Sequence, residues 1–216
     1  MKRLILYDLD GTLVDTRLDI AQAANHMLQQ LRAPALPVEA VCRFVGRGVH
    51  QLVSGCLHTD DPALIEEGVR IYRAHYTEHL LDSSRLYPGV REVLEHFKTR
   101  RQAVITNKPN PYSRQILIGL GVADYFLEII AGDSPYPKKP DPSAVLALME
   151  QERLTPTETC IVGDSSIDVE TGRLAGVFTI GVAQGFSDDE ELAAASPDAM
   201  VRDFHELLSV AKREGW

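Results

Sequence analysis

Asp8 and Asp10 stand one residue apart in Asp8-Leu9-Asp10-Gly11-Thr12, directly after the apolar run Leu4 to Tyr7. Two carboxylates at this spacing in a turn can divide labour. One attacks or binds a metal, while the other, turned differently, donates and accepts protons. Gly11, directly after the pair, lets the backbone turn tightly. Thr106-Asn107, Lys138-Lys139-Pro140, and Gly163-Asp164 with Asp168 lie at or beyond the ends of later apolar runs. A phosphoryl group carries charge that repels an attacking carboxylate. Attack by Asp8 therefore needs a Mg²⁺ and a lysine to neutralise that charge, and hydroxyl or amide donors to hold the oxygens. Thr106 and Lys139 supply donors. Asp8 and Asp164 supply hard oxygen ligands for Mg²⁺, which takes few carboxylates, several waters and near-octahedral geometry.

Each fragment alone has an ordinary reading as a capped turn, a solvated loop or a strand end. They become one site only if the elements carrying them converge. Short apolar runs at Leu4 to Tyr7, Ala103 to Ile105, Leu127 to Ala131, Cys160 to Val162 and Phe178 to Val182 read as strands. Helical periodicity falls around residues 90–100, 111–120, 142–152, 168–175, 188–195 and 202–213. This rhythm predicts an α/β fold with a doubly wound, Rossmann-like parallel sheet, in which ligands bind at the carboxyl ends of the strands. All four groups fall at such ends. Residues 16–81 break the rhythm with helical periodicity, as in Ile20, Ala23, Ala24, Met27, Leu28 and Leu31, and no strand. That interval is too long for one crossover and reads as a helical domain inserted into a core made of residues 1–15 and 82–216.

The chain has 216 residues and a net charge of −9, which argues against general affinity for nucleic acid or anionic lipid. A phosphorylated substrate then needs a local positive site. No apolar stretch approaches the roughly 20 residues of a membrane span, and Asp8 ends the N-terminal apolar run before a signal sequence is complete. Cys42, Cys56 and Cys160 form neither a metal motif nor a disulfide framework, as expected of a reduced cytoplasmic protein. Monomer and homodimer both stay open.

The run Asp8-Leu9-Asp10-Gly11-Thr12-Leu13-Val14-Asp15-Thr16 resembles the first motif of haloacid dehalogenase-type phosphatases. Ile105-Thr106-Asn107-Lys108-Pro109, Lys139-Pro140-Asp141-Pro142 and Val162-Gly163-Asp164-Ser165-Ser166-Ile167-Asp168 are similar to its second, third and fourth motifs, in order. The resemblance spans nearly the whole chain and is nearest to the phosphoglycolate phosphatase branch. It implies that Asp8 forms an aspartyl phosphate, and that Asp10 protonates the leaving oxygen and then activates water. It further implies that Asp8, the backbone carbonyl of Asp10 and Asp164 hold Mg²⁺, with Asp168 supporting that site, and that Thr106, Asn107 and Lys139 position the phosphoryl group. Lys139 is preferred to Lys138 because it directly precedes the proline of the motif. The insertion resembles the family's helical cap, which reads the part of the substrate that is not transferred. Within it, Arg47 of Gly46-Arg47-Gly48 could bind a substrate carboxylate in a bidentate manner. The expected substrate is a small phosphorylated metabolite, with 2-phosphoglycolate leading.

Other signals point elsewhere. His75-Tyr76-Thr77-Glu78-His79 matches a zinc-protease pattern, but it lies in the helical insertion without an identifiable distal ligand, so it reads as a solvated helix face. Asp188-Asp189-Glu190-Glu191 reads as a helix start, and Gly172, Ala175 and Gly176 as close packing. No lysine lies between Lys2 and Lys98, which disfavours a Schiff-base phosphonatase. A halide-displacing enzyme has no use for the full acidic set. A phosphosugar mutase uses the same nucleophile and acid and stays open. A non-enzymatic phospho-accepting signalling domain is disfavoured by the large insertion.

Overall fold

The computed structural model describes residues 1–213 and 215–216. Its strands are β1 (Leu4–Tyr7), β2 (Val14–Asp15), β3 (Arg85–Leu86), β4 (Arg101–Ile105), β5 (Glu128–Ile130), β6 (Thr159–Gly163), β7 (Phe178–Val182) and β8 (Ala199–Val201). Six of them form one sheet in the order β5-β4-β1-β6-β7-β8, every neighbouring pair parallel. The chain moves outward from β1 through β4 to β5, then returns to the other side of β1 for β6, β7 and β8. The switch point is therefore beside β1, and the crevice it opens lies where Asp8 leaves the sheet.

Strand β1 is buried on both faces, which explains why it reads as an unbroken apolar run. Ile5 and Tyr7 join the larger apolar core and Leu4 and Leu6 the smaller one, as the two-residue period of a strand requires. The larger core also takes Val93 and Leu94 of α5 (Val90–His96), Ile116 and Leu117 of α6 (Tyr112–Gly119), and Leu207 and Val210 of α10 (Phe204–Arg213). The smaller takes Val145 and Leu148 of α7 (Ser143–Glu152) and Ala175 of α8 (Ser166–Ala175). Helices on both faces make this an α/β Rossmann-like fold. The final crossover contains α9 (Asp189–Ala194), whose first turn is capped by the Asp188 carboxylate accepting from Glu190 N–H.

Strand β8 has no counterpart among the expected strands, since Ala199-Met200-Val201 is short and only Val201 is buried. Neither has the β2–β3 pair. These two-residue strands pair antiparallel and bracket the insertion, bringing its entry and exit together.

Between them lie α1 (Arg17–Gln30), α2 (Val38–Cys42), α3 (Val49–Leu57) and α4 (Pro62–His79). Helix α4 begins with Pro62 in its first turn and the Asp61 carboxylate accepting from Ala63 N–H, a start that costs no internal hydrogen bond. Its Val69, Tyr72 and Tyr76 recur at helical spacing and are buried in one core with Ala23, Met27 and Leu28 of α1. Asp19 of α1 is 0% exposed and accepts from Ser83 N–H, Ser84 N–H and the Ser84 hydroxyl, which ties the start of the insertion to its exit. Among the described residues, no helix is long and apolar enough to cross a membrane.

Candidate active site

Asp8 is the first residue beyond β1, and its N–H still donates to the carbonyl of Val162 in the sheet at 3.0 Å. The chain then curls back: Leu13 and Val14 N–H groups both donate to the Leu9 carbonyl at 3.0 Å. This tight loop aims Asp8 and Asp10 differently. Lys139 Nζ lies 2.8 Å from Asp8 Oδ1 and 2.6 Å from Asp168 Oδ1. The buried ammonium thus bridges the two carboxylates, as a close ion pair with Asp8 and a hydrogen-bonded one with Asp168. Lys139 is buried and the adjacent Lys138 exposed, because the Asn107 side chain fixes the backbone there: its Oδ1 accepts from Lys139 N–H and its Nδ2 donates to the Lys139 carbonyl.

Oxygens of Asp8, Asp164 and Asp168 lie within 4.8 Å of one another, the one such acidic, His or Cys cluster among the described residues. Burial raises the Asp8 carboxyl to about 6, with Lys139 opposing and Asp168 and Asp10 adding to the rise. Burial also raises Asp164, to about 7, helped by the charges of Asp168 and Asp8. Lys139 is pulled down by burial but raised more by Asp168 and Asp8, and stays charged. Three converging carboxylates beside one ammonium make a donor set that fits a hard divalent cation. Asp164 can come this close only because its neighbours lack side chains. A Cβ at Gly11 would sit 2.3 Å from Asp164 Oδ2, and one at Gly185 would sit 2.1 Å from it. Thr12 Oγ1 and Phe186 N–H donate to Asp164, each at 2.8 Å. Asp168 spends its second oxygen on the N–H and hydroxyl of Ser165, at the start of α8.

Asp10 faces away from Lys139. Its carboxylate takes the Thr16 hydroxyl at 2.7 Å and Lys108 Nζ at 3.0 and 3.1 Å. Lys108 is in turn buried against the ring of Tyr76, 4.6 Å from its centroid. Thr106 follows β4 and lines the same pocket, its Oγ1 accepting from Lys108 N–H at 3.2 Å. Asn107 also donates to the Gly46 carbonyl at 2.8 Å. Both hydrogens of its amide are thus committed, one to the Lys139 loop and one to the loop between α2 and α3.

The pocket has a polar floor of Asp8, Asp10, Thr106, Lys139 and Asp168, and walls that include Val45, Val49, Leu52, Tyr72, Tyr76 and Tyr112. Arg47 is elsewhere. It is exposed, lines a second cleft with Asp8, Asp164 and Phe186, and takes no ion pair among the described residues. Arg73 lines the first pocket instead. Sequence reasoning misses Arg73, Lys108, Thr12 and Thr16. Lys108 is readable in principle, as a lysine inside the run Ile105–Pro109, whereas Arg73 has no local signal on a long amphipathic helix. His75 and His79 both lie on α4, where the His75 ring stacks between His26 and His79, each at 4.3 Å, and no cluster of metal-binding spacing forms there among the described residues.

Residues 5–182 match the family described as haloacid dehalogenase-like hydrolase. The chain is 37% identical to a phosphoglycolate phosphatase of Pseudomonas putida, covering 96% of this chain and 79% of that one. It is 33% identical to a phosphoglycolate phosphatase of Nitrosospira multiformis, covering 98% and 96%. The crystal structure of a predicted phosphoglycolate phosphatase from Haemophilus somnus superposes with a TM-score of 0.92 at 30% identity, covering 97% and 98%.

Proposed function

Because this chain belongs to the haloacid dehalogenase-like hydrolase family, we propose that it is a Mg²⁺-dependent phosphatase that uses Asp8 as its nucleophile. The observation that carries this reading is the Asp8 carboxylate at the end of β1, paired with the buried Lys139 ammonium and clustered with Asp164 and Asp168. Asp8 and Asp164, with the carbonyl of Asp10, would hold the Mg²⁺. When bound, the ion neutralises phosphoryl charge and lowers the repulsion felt by an incoming carboxylate.

In the first step an Asp8 oxygen bonds to phosphorus, the ester P–O bond breaks, and Asp10 delivers its proton to the leaving alcohol oxygen. In the second, water bonds to phosphorus and gives its proton to the Asp10 carboxylate. The bond from phosphorus to Asp8 then breaks, and orthophosphate leaves. Lys108 and Thr16 hold the Asp10 carboxyl in place between the two steps. Lys139 screens the phosphoryl oxygens and the Thr106 hydroxyl donates to them. Asp168 orients Lys139, and Asn107 holds the loop that carries it. Residues 16–81 serve as a cap, latched to the core where Asn107 meets Gly46.

The names of the relatives support a small phosphorylated metabolite, and 2-phosphoglycolate first. The test is phosphate release from phosphoglycolate, phosphosugars and nucleotides, with Mg²⁺ and with EDTA. Release that needs Mg²⁺ is expected. Equal release in EDTA, or none from any ester, would contradict the reading.

A further inference from the structure

The pocket changes character along its length. Near Asp8 it is charged. Its lining also includes the apolar side chains of Ile20, Val45, Val49, Leu52, Tyr72 and Tyr112, and a single guanidinium, that of Arg73. Tyr72 and Tyr76, at i and i+4 on α4, stack with centroids 5.4 Å apart and an interplanar angle of 19°, and Tyr112 meets Tyr76 edge-on at 5.4 Å. This is an extended aromatic and aliphatic wall. Tyr76 is 1% exposed, its buried hydroxyl has no hydrogen-bond partner and its ring is covered by Lys108 and Tyr72, so it backs the wall while the partly exposed Val45, Val49 and Tyr112 present its surface.

The order outward from the chemistry follows from contacts. Asp10 touches Lys108, Lys108 covers the ring of Tyr76, and Arg73 stands three residues before Tyr76 on the same helix. Three residues are about 4.5 Å of axial rise. Among the described residues Arg73 has no acidic partner, although α4 is rich in charge: Arg70 pairs with Glu67 and His79 with Asp82. An arginine left unpaired at the far end of an apolar pocket suits a carboxylate on the ligand.

Glycolate carries its carboxylate one methylene from the ester oxygen, so it can neither cover the apolar wall nor extend far from Asp10. We infer that the preferred substrate is a phosphomonoester of a larger, carboxylated alcohol with a ring-sized apolar face, held against Val45, Val49 and Tyr112 with its carboxylate on Arg73. This rests on the phosphatase reading above and narrows its substrate class.

The test compares kcat/KM, with Mg²⁺, for 2-phosphoglycolate, benzyl phosphate and 4-carboxybenzyl phosphate. All three release alkyl alcohols, so leaving-group chemistry changes little while size and charge change. The expected order puts 4-carboxybenzyl phosphate roughly tenfold or more above each of the others. In Arg73→Met the ratio of 4-carboxybenzyl to benzyl phosphate should fall to about one, through KM and not kcat, with partial recovery in Arg73→Lys. Arg73 is exposed, so neither variant threatens the fold. Preference for 2-phosphoglycolate over both benzyl esters, or a ratio that survives Arg73→Met, overturns the inference and leaves the phosphatase standing. Failure to release phosphate from any of the three, or from the wider panel, would instead sink the phosphatase reading and this inference with it.

Discussion

Asp8 and Asp10 are separated by one residue and given opposite company. Asp8 faces an ammonium and two carboxylates, while Asp10 faces a lysine and a hydroxyl. Replacing Asp8, the proposed nucleophile, by Asn hardly changes its shape, so turnover should fall at least about 1,000-fold while circular dichroism stays native. Wild-type turnover in that variant would refute the assignment. Lys108→Met takes the cation from a buried carboxylate, and kcat should fall roughly 10- to 100-fold with a smaller change in KM. An unchanged kcat would show that Lys108 is only packing. Asp8, Asp10 and Asp164 are legible in the sequence because they lie at or just beyond the ends of apolar runs whose direction is known, whereas Lys139, well past the end of β5, is legible only through its motif. That Asn107 spends its side-chain amide on backbone groups is not legible, since the partners, Lys139 and Gly46, are 32 and 61 residues away.

At the scale of elements, the parallel strands are readable because they are buried on both faces and so stand out as apolar runs. β8 escapes because its burial is confined to Val201, and the β2–β3 pair because two residues carry no periodicity. The tie through Asp19 is equally invisible: an acid in the first turn of a helix ordinarily reads as a solvated charge at the helix start. Here its buried carboxylate holds two backbone N–H groups and a hydroxyl from the far end of the insertion. Asp19→Ala should therefore cost roughly 2–4 kcal/mol in urea unfolding, since three donors, two of them on the buried Ser84, lose their acceptor. A loss within the ordinary range for exposed residues would mean that water replaces the carboxylate at no cost.

For the molecule as a whole, the acidic cluster and the proposed metal site predict a coupling of folding to pH and Mg²⁺. Asp8 and Asp164 are raised from an ordinary 3.8 to about 6 and about 7, so between those values the folded chain binds more protons than the unfolded one. Their contribution to stability is thus fully present below about pH 4 and is lost as pH rises through 6 to 7. In EDTA, Tm should fall between about pH 5 and pH 8, and Mg²⁺ should restore it at the upper end, where both carboxylates are ionised and available as ligands. A metal-free Tm that rises over this range, with no response to Mg²⁺ at pH 8, would contradict this coupling.

The most direct measurement is made during turnover. The protein is quenched in acid while hydrolysing a phosphomonoester with Mg²⁺, digested with trypsin, and the peptide Leu4–Arg17 is sequenced by mass spectrometry. A phosphoryl group is expected on Asp8, absent when EDTA replaces Mg²⁺ and absent in Asp8→Asn. Rapid phosphate release with that peptide unmodified in rapid-quench samples spanning the first turnover, or with the phosphoryl group on another residue, would contradict the assignment of Asp8 as nucleophile.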